Sequence, residues 1–161
     1  MIMLDHGVAF KLNGQAVVWR GSPAARLLDV LRDQFLSTGV KCGCREGECG
    51  ACAVILDGRL VNSCMAAMGR VAGSDVVTIE GYKKTARFAV LDRAFAAAGA
   101  VQCGFCTPGM VLAAECLLRH NPIPSEADIR AGISGNLCRC TGYNAIVKAI
   151  DAAAREGDGL W

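Results

Sequence analysis

The sequence predicts an α+β chain, with a small strand-rich unit around one helix followed by an all-helical half. Two observations carry this. Short apolar runs bracket tight-turn signals between residues 8 and 62, and after Gly81-Tyr82-Lys83-Lys84 the chain becomes alanine-rich, with helical start and stop signals. No internal repeat aligns the two halves. The boundary is therefore expected at residues 81–85, giving units 1–82 and 83–161.

The elements follow in order. Val8 to Leu12 and Gln15 to Trp19 flank Asn13-Gly14, a pair that accepts the positive φ angles of a two-residue hairpin turn. Ser22-Pro23 reads as an N-cap followed by proline at the first helical position. Leu27, Leu28, Leu31 and Phe35 then form one apolar face of a helix over 23–35. Ala53 to Leu56 and Leu60 to Asn62 read as strands about an Asp57-Gly58 turn, and Val76 to Glu80 as a further strand. Strands embracing one helix make a β-grasp-like unit.

The second half reads as four helices. The first runs from Ala86 to Ala98 and ends at Gly99, a natural C′ residue. Thr107-Pro108 opens the second, which Asn121-Pro122 stops after His120. Ser125-x-x-Asp128 resembles a capping box for the third, and Asn144 to Arg155 is the fourth.

Composition excludes several classes. The net charge is +2 and there is no basic run, which argues against a nucleic-acid partner. No apolar run approaches the ~20 residues of a membrane span. Met1 to Gly7 carries no export signal, so the expected compartment is the reducing cytoplasm. There, ten cysteines read as ligands rather than disulfides. A chain near 150 residues can bury roughly 70% of its unfolded surface, so a core needs no covalent staples.

Eight of the cysteines fall into two sets with different spacing. Cys44-x4-Cys49-x2-Cys52, closed by Cys64, is the plant-type spacing for one [2Fe–2S] cluster. A structural zinc site usually joins two short Cys pairs, and this triple fits that poorly. Gly43, Gly47 and Gly50 alternate with the ligands, letting backbone amides approach the sulfurs.

The second set pairs Cys103-x2-Cys106 with Cys138-x-Cys140. Spacing alone leaves it open between zinc and a [2Fe–2S] cluster. Helices starting after Cys106 and near Tyr143 would aim their positive ends at the sulfurs, which suits either.

The remaining candidates read blandly. Cys42 could replace Cys44 in principle, but only Cys44 gives x4 before Cys49, so Cys42 reads as a bystander. Cys116 reads as a small core residue and His120 as a helix-closing imidazole. His6 stands in no catalytic grouping. Glu46 and Glu48 read as solvated loop charges or partner contacts, and Met65, Met68 and Met110 as packing. No catalytic residue is expected in this chain.

Three motifs now stand together: Lys41-x-Gly43-Cys44-x-x-Gly47-Glu-Cys-Gly-Ala-Cys52, Gln102-Cys-Gly-Phe-Cys-Thr-Pro-Gly109 and Gly135-Asn-Leu-Cys-Arg-Cys-Thr-Gly-Tyr143. In this order they resemble the iron–sulfur small subunit of the molybdenum hydroxylases, the xanthine oxidase family. The likeness runs from about residue 8 to 155 and resolves the second set in favour of a [2Fe–2S] cluster.

The resemblance implies a plant-ferredoxin-like domain and a four-helix domain, each with one cluster. It implies an electron-transfer subunit of an oxidoreductase, relaying single electrons from molybdopterin on a large subunit to FAD on a medium subunit, in a dimer of heterotrimers. Cys103, Cys106, Cys138 and Cys140 would hold the first stop, and Cys44, Cys49, Cys52 and Cys64 the second. Gln102 and Cys140 would lie beside the pterin. Ala53 stands where the family usually has threonine, and Cys42 is an uncommon occupant of its position. Competing readings are a free-standing two-cluster ferredoxin and a zinc-stabilised interaction module.

Overall fold

Asn13 and Gly14 take φ +53° and +81°, and so turn β1 (Val8–Leu12) back onto β2 (Gln15–Trp19) as an antiparallel pair with Leu12 opposite Gln15. This hairpin begins a computed structural model that describes residues 7–157 and 159–161. His6 and most of the segment read for an export signal lie outside the described residues.

A second hairpin, β3 (Ala53–Leu56) and β4 (Arg59–Asn62), turns at Asp57-Gly58, again with positive φ at both residues. β5 (Asp75–Val77) joins the hairpins, parallel to β1 and antiparallel to β3. The sheet order is β2-β1-β5-β3-β4. α1 (Leu27–Asp33) lies against it, and Leu27, Leu28 and Leu31 are fully buried among Phe10, Leu12, Val54 and Val76. Phe35, beyond the helix end, meets Phe10 edge to face at 5.7 Å. Burying each such side chain contributes about 1.5–3 kcal/mol, so the apolar face, rather than the short helix itself, holds α1 in place.

Two local expectations are corrected. α1 starts at Leu27, not at Pro23. Ser22-Pro23 instead makes a turn closed by Ala25 N–H to Ser22 O, and Arg26 pairs with Ala67 as an isolated bridge. That long-range pairing holds Arg26 extended, so the helix begins after it. The strand expected over 76–80 ends at Val77, and Ile79–Tyr82 form a helical turn, α2. Ile79 and Tyr82 thereby turn into the helical core rather than alternating across a sheet.

The second half contains α3 (Ala86–Ala97), α4 (Thr107–His120), α5 (Glu126–Gly132) and α6 (Asn144–Glu156). Gly99 takes φ +63° just beyond α3, as a C′ residue does. The Ser125–Asp128 capping box is complete in both directions. At α4 the N-cap is Cys106, one residue before the expected Thr107, and no side chain caps it. Thr107 N–H closes a turn to Gly104 O instead, so the helix starts on the cysteine itself.

The apolar interior divides into two clusters. One is the sheet with α1; the other is centred on Leu91, Met110, Leu118, Ile129, Ile146 and Ile150. Ile55 of β3 reaches into the helical cluster. Among the described residues no helix is long and apolar enough to cross a membrane.

Candidate metal centres

The loop from Cys42 to Cys52 has no regular structure, and Arg45, Gly47 and Gly50 hold positive φ angles of +64°, +82° and +66°. Reversing the chain at these points turns amides inward. Glu46 N–H and Cys49 N–H donate to Cys44 Sγ at 3.3 and 3.4 Å, and Cys44 N–H returns a bond to Cys49 Sγ at 3.4 Å. The Glu46 amide, followed by that of Cys49, lowers the Cys44 thiol to about 7, so its thiolate is populated near neutral pH.

Cys52 and Cys64 are both buried. They face each other, and burial first, then contact with Cys52, pushes the Cys64 thiol up to about 11. The first set therefore sorts into an outer pair, Cys44 with Cys49, and an inner pair, Cys52 with Cys64. Asn62, at the end of β4, fixes the loop to the sheet by donating Nδ2–H to Gly47 O at 2.6 Å.

The second set sorts the same way. Cys103 and Cys140, both exposed, have sulfurs 3.7 Å apart. Cys106 and Cys138 form the inner pair, and burial, then Cys138, raises Cys106 to about 12. Cys138 is held at about 7: burial raises it, but the Thr141 hydroxyl at 3.1 Å and the Thr141 amide at 3.5 Å outweigh that. Tyr143, in the left-handed region at φ +68°, caps α6 and accepts the Cys138 N–H at 2.9 Å.

Two thiol pairs per set match two irons with two thiolates each. A single tetrahedral ion would draw all four sulfurs to one point. Among the described residues no group of three or more His, Cys, Asp or Glu side chains gathers as ligands of one ion.

The ligand loops of the two halves also touch. Leu137 N–H donates to Cys49 O at 2.9 Å, and Asn136 Nδ2–H donates to Gly50 O at 3.0 Å in a buried contact. Gly109, in the first turn of α4, completes the junction. A Cβ there would lie 2.6 Å from Gly50 O.

The other candidates fall as follows. Gln102 is exposed next to Cys103, on a surface where Val101, Phe105 and Leu137 are also exposed. Glu46 and Glu48 are exposed. Met68 and Met110 are fully buried, whereas Met65 is 66% exposed and packs over Gly47. Cys116 is half-buried against the helical core, and His120 Nδ1 meets Cys116 O at 2.7 Å. Cys42 Sγ receives Arg45 Nε–H at 3.2 Å. Sequence reasoning assigned no role to Asn136, Thr141, Arg45 or Glu115. Their signal was proximity to cysteines for the first three, and a lone carboxylate inside an apolar helix for the last.

Comparison with known proteins decides the family. Residues 10–74 match the 2Fe-2S iron-sulfur cluster binding domain, and residues 78–151 match the [2Fe-2S] binding domain. The chain is 48% identical over 149 residues to the nicotinate dehydrogenase small FeS subunit of Eubacterium barkeri, covering 92% of this chain and 95% of that one. It belongs to the iron–sulfur small subunits of the molybdenum hydroxylases. The xanthine dehydrogenase iron-sulfur-binding subunit of Escherichia coli O157:H7 is 42% identical, over 86% and 88% of the two chains. The quinoline 2-oxidoreductase structure from Pseudomonas putida 86 superposes with a TM-score of 0.88 at 38% identity, covering 94% of this chain and 95% of that one. Like other members of this family of small subunits, the chain carries two [2Fe–2S] clusters and is the electron-transfer part of a multi-subunit oxidoreductase. Its fold is the expected one, a ferredoxin-like β-grasp followed by helices.

Proposed function

We propose that the chain relays single electrons from molybdopterin on a large subunit to FAD on a medium subunit. Cys103, Cys106, Cys138 and Cys140 hold the cluster nearer the molybdenum, and Cys44, Cys49, Cys52 and Cys64 hold the other. The observation that carries the assignment is the sorting of each set into two sulfur pairs. The clusters supply one-electron carriers, which thiols and amides alone cannot. The chain's own residues supply ligation, hydrogen bonds that favour the more negative reduced state, and the spacing between sites.

The direction rests on exposure and on the family likeness. Cys103 and Cys140 open onto a surface that also exposes Val101, Phe105 and Leu137, an apolar setting suited to a subunit contact. Gln102 lies beside them, and its amide suits the polar edge of a pterin. The assembly is a dimer of heterotrimers, and the units divide at 82/83. We place the complex in the cytoplasm, where thiol ligands stay reduced.

Metal counting on the purified complex tests the assignment. It expects about four irons per small subunit, two for each [2Fe–2S] centre, and two distinct signals in reduced-state EPR. Fewer irons, or zinc in their place, rejects it. Cys140→Ser removes one signal and leaves the other; losing both in a folded protein rejects the ligand partition.

A further inference from the structure

Arg45 is a long, branched side chain on a backbone at φ +64°, a region that favours glycine. Such strain persists where surrounding contacts over-determine it. Here the whole guanidinium fork is engaged. Nε–H donates to Cys42 Sγ at 3.2 Å, while Nη2–H and Nη1–H donate to the two Asp29 oxygens at 2.7 and 3.4 Å. Asp29 sits in the first turn of α1, where the helix dipole favours a carboxylate, so the anchor is itself fixed to the core. The result is a cation pinned between Cys42 and Asp29, on the residue that follows Cys44 in the ligand loop. Cys42 is the seat of that cation.

A fixed positive charge near a [2Fe–2S] centre stabilises the extra negative charge of its reduced state and raises its potential, and a nearby carboxylate offsets part of that effect. We propose that Arg45, seated by Asp29 and Cys42, is an electrostatic tuning residue that sets the reduction potential of the cluster held by the first cysteine set. The proposal rests on the reading that Cys44, Cys49, Cys52 and Cys64 hold that cluster.

The test is an EPR-monitored redox titration of the intact complex, with the two signals assigned through Cys140→Ser. Arg45→Gly suits the backbone at this position and removes the cation together with its bonds to Cys42 and Asp29. It is expected to lower the midpoint of the first-set cluster and leave the second unmoved. Asp29→Asn removes the countercharge and is expected to raise the same midpoint. Both shifts shrink as salt is added, because Arg45 is about half exposed. No shift in Arg45→Gly, or shifts of the same sign in the two variants, overturns the proposal. A missing signal or low iron in the unsubstituted complex instead overturns the ligand reading, and the proposal with it.

Discussion

Leu137 donates its backbone N–H to the carbonyl of Cys49 at 2.9 Å, which ties a residue next to one ligand to a ligand of the other set. Asn136 strengthens the tie by donating its side-chain Nδ2–H to Gly50 O. Asn136→Ala removes one of two hydrogen bonds on that buried carbonyl, which keeps the Ala53 N–H at 3.1 Å, at a cost of about 0.5–1.5 kcal/mol. At roughly 2–4 °C per kcal/mol for a chain of this size, calorimetry of the holo complex should show a visibly lower Tm. An unchanged Tm would mean that the contact contributes nothing to holding the halves together.

Gly50→Ala should be more severe. The residue has φ +66°, and a Cβ would lie 2.3 Å from Gly135 O and 2.6 Å from Asn136 Nδ2. Backbone must move, and the backbone in question joins Cys49 to Cys52. Iron analysis should show loss from the first set, with the second EPR signal retained. Full iron occupancy would show that the junction tolerates a side chain.

Glu115 is 1% exposed within α4, yet it accepts hydrogen bonds from Tyr82 Oη at 2.7 Å and Trp161 Nε1 at 2.9 Å and pairs with Arg87 at 2.9 Å. It gathers α2, α3 and the chain end onto one carboxylate. Glu115→Ala strands those donors and Arg87, and should cost about 3–5 kcal/mol, toward the lower end because Arg87 is partly exposed. Denaturant unfolding followed through Trp161 fluorescence measures it. Burial, then Glu115, raises the Tyr82 hydroxyl well above its usual value. This contribution is full below about pH 10, the unfolded tyrosine value, and declines as pH rises beyond it.

Thr141→Val removes the hydroxyl that donates to Cys138 Sγ at 3.1 Å and keeps the side chain's shape. With one fewer hydrogen bond on a ligand sulfur, the reduced state of the second-set cluster is less stabilised. Redox titration should give a lower midpoint for that cluster alone. An equal change in both clusters would point to a general loosening of the fold.

Cys42→Ala should leave the iron content unchanged, because its sulfur is occupied by Arg45 while Cys44 exchanges hydrogen bonds with Cys49. Loss of iron on direct analysis would make Cys42 the ligand and Cys44 the bystander.

The elements most legible in the sequence were those governed by local chemistry. Asn13-Gly14, Asp57-Gly58, Gly99 and the Ser125–Asp128 box each settle their own backbone within a few residues, and each stands where the sequence places it. The start of α1 was misread because Arg26 is held by Ala67, a partner forty-one residues away that no local propensity reveals. The turn at Ile79–Tyr82 was misread for a similar reason: the helical core claims both side chains. Spacing picked out the eight cysteines, but not how they sort into pairs, because pairing depends on where Cys64 and Cys140 return in space. Arg45 was invisible as a feature since its significance lies in a φ angle and in a partner on α1.

The junction at Gly50 also bears on the order in which the protein can be made. A growing chain that has emerged past Cys64 already owns all four thiols of the first set, but not Asn136 or Leu137, which contact the loop bearing three of them. Until then the loop is held by its own half alone, through Asn62 on Gly47 O and the bonds between Cys44 and Cys49.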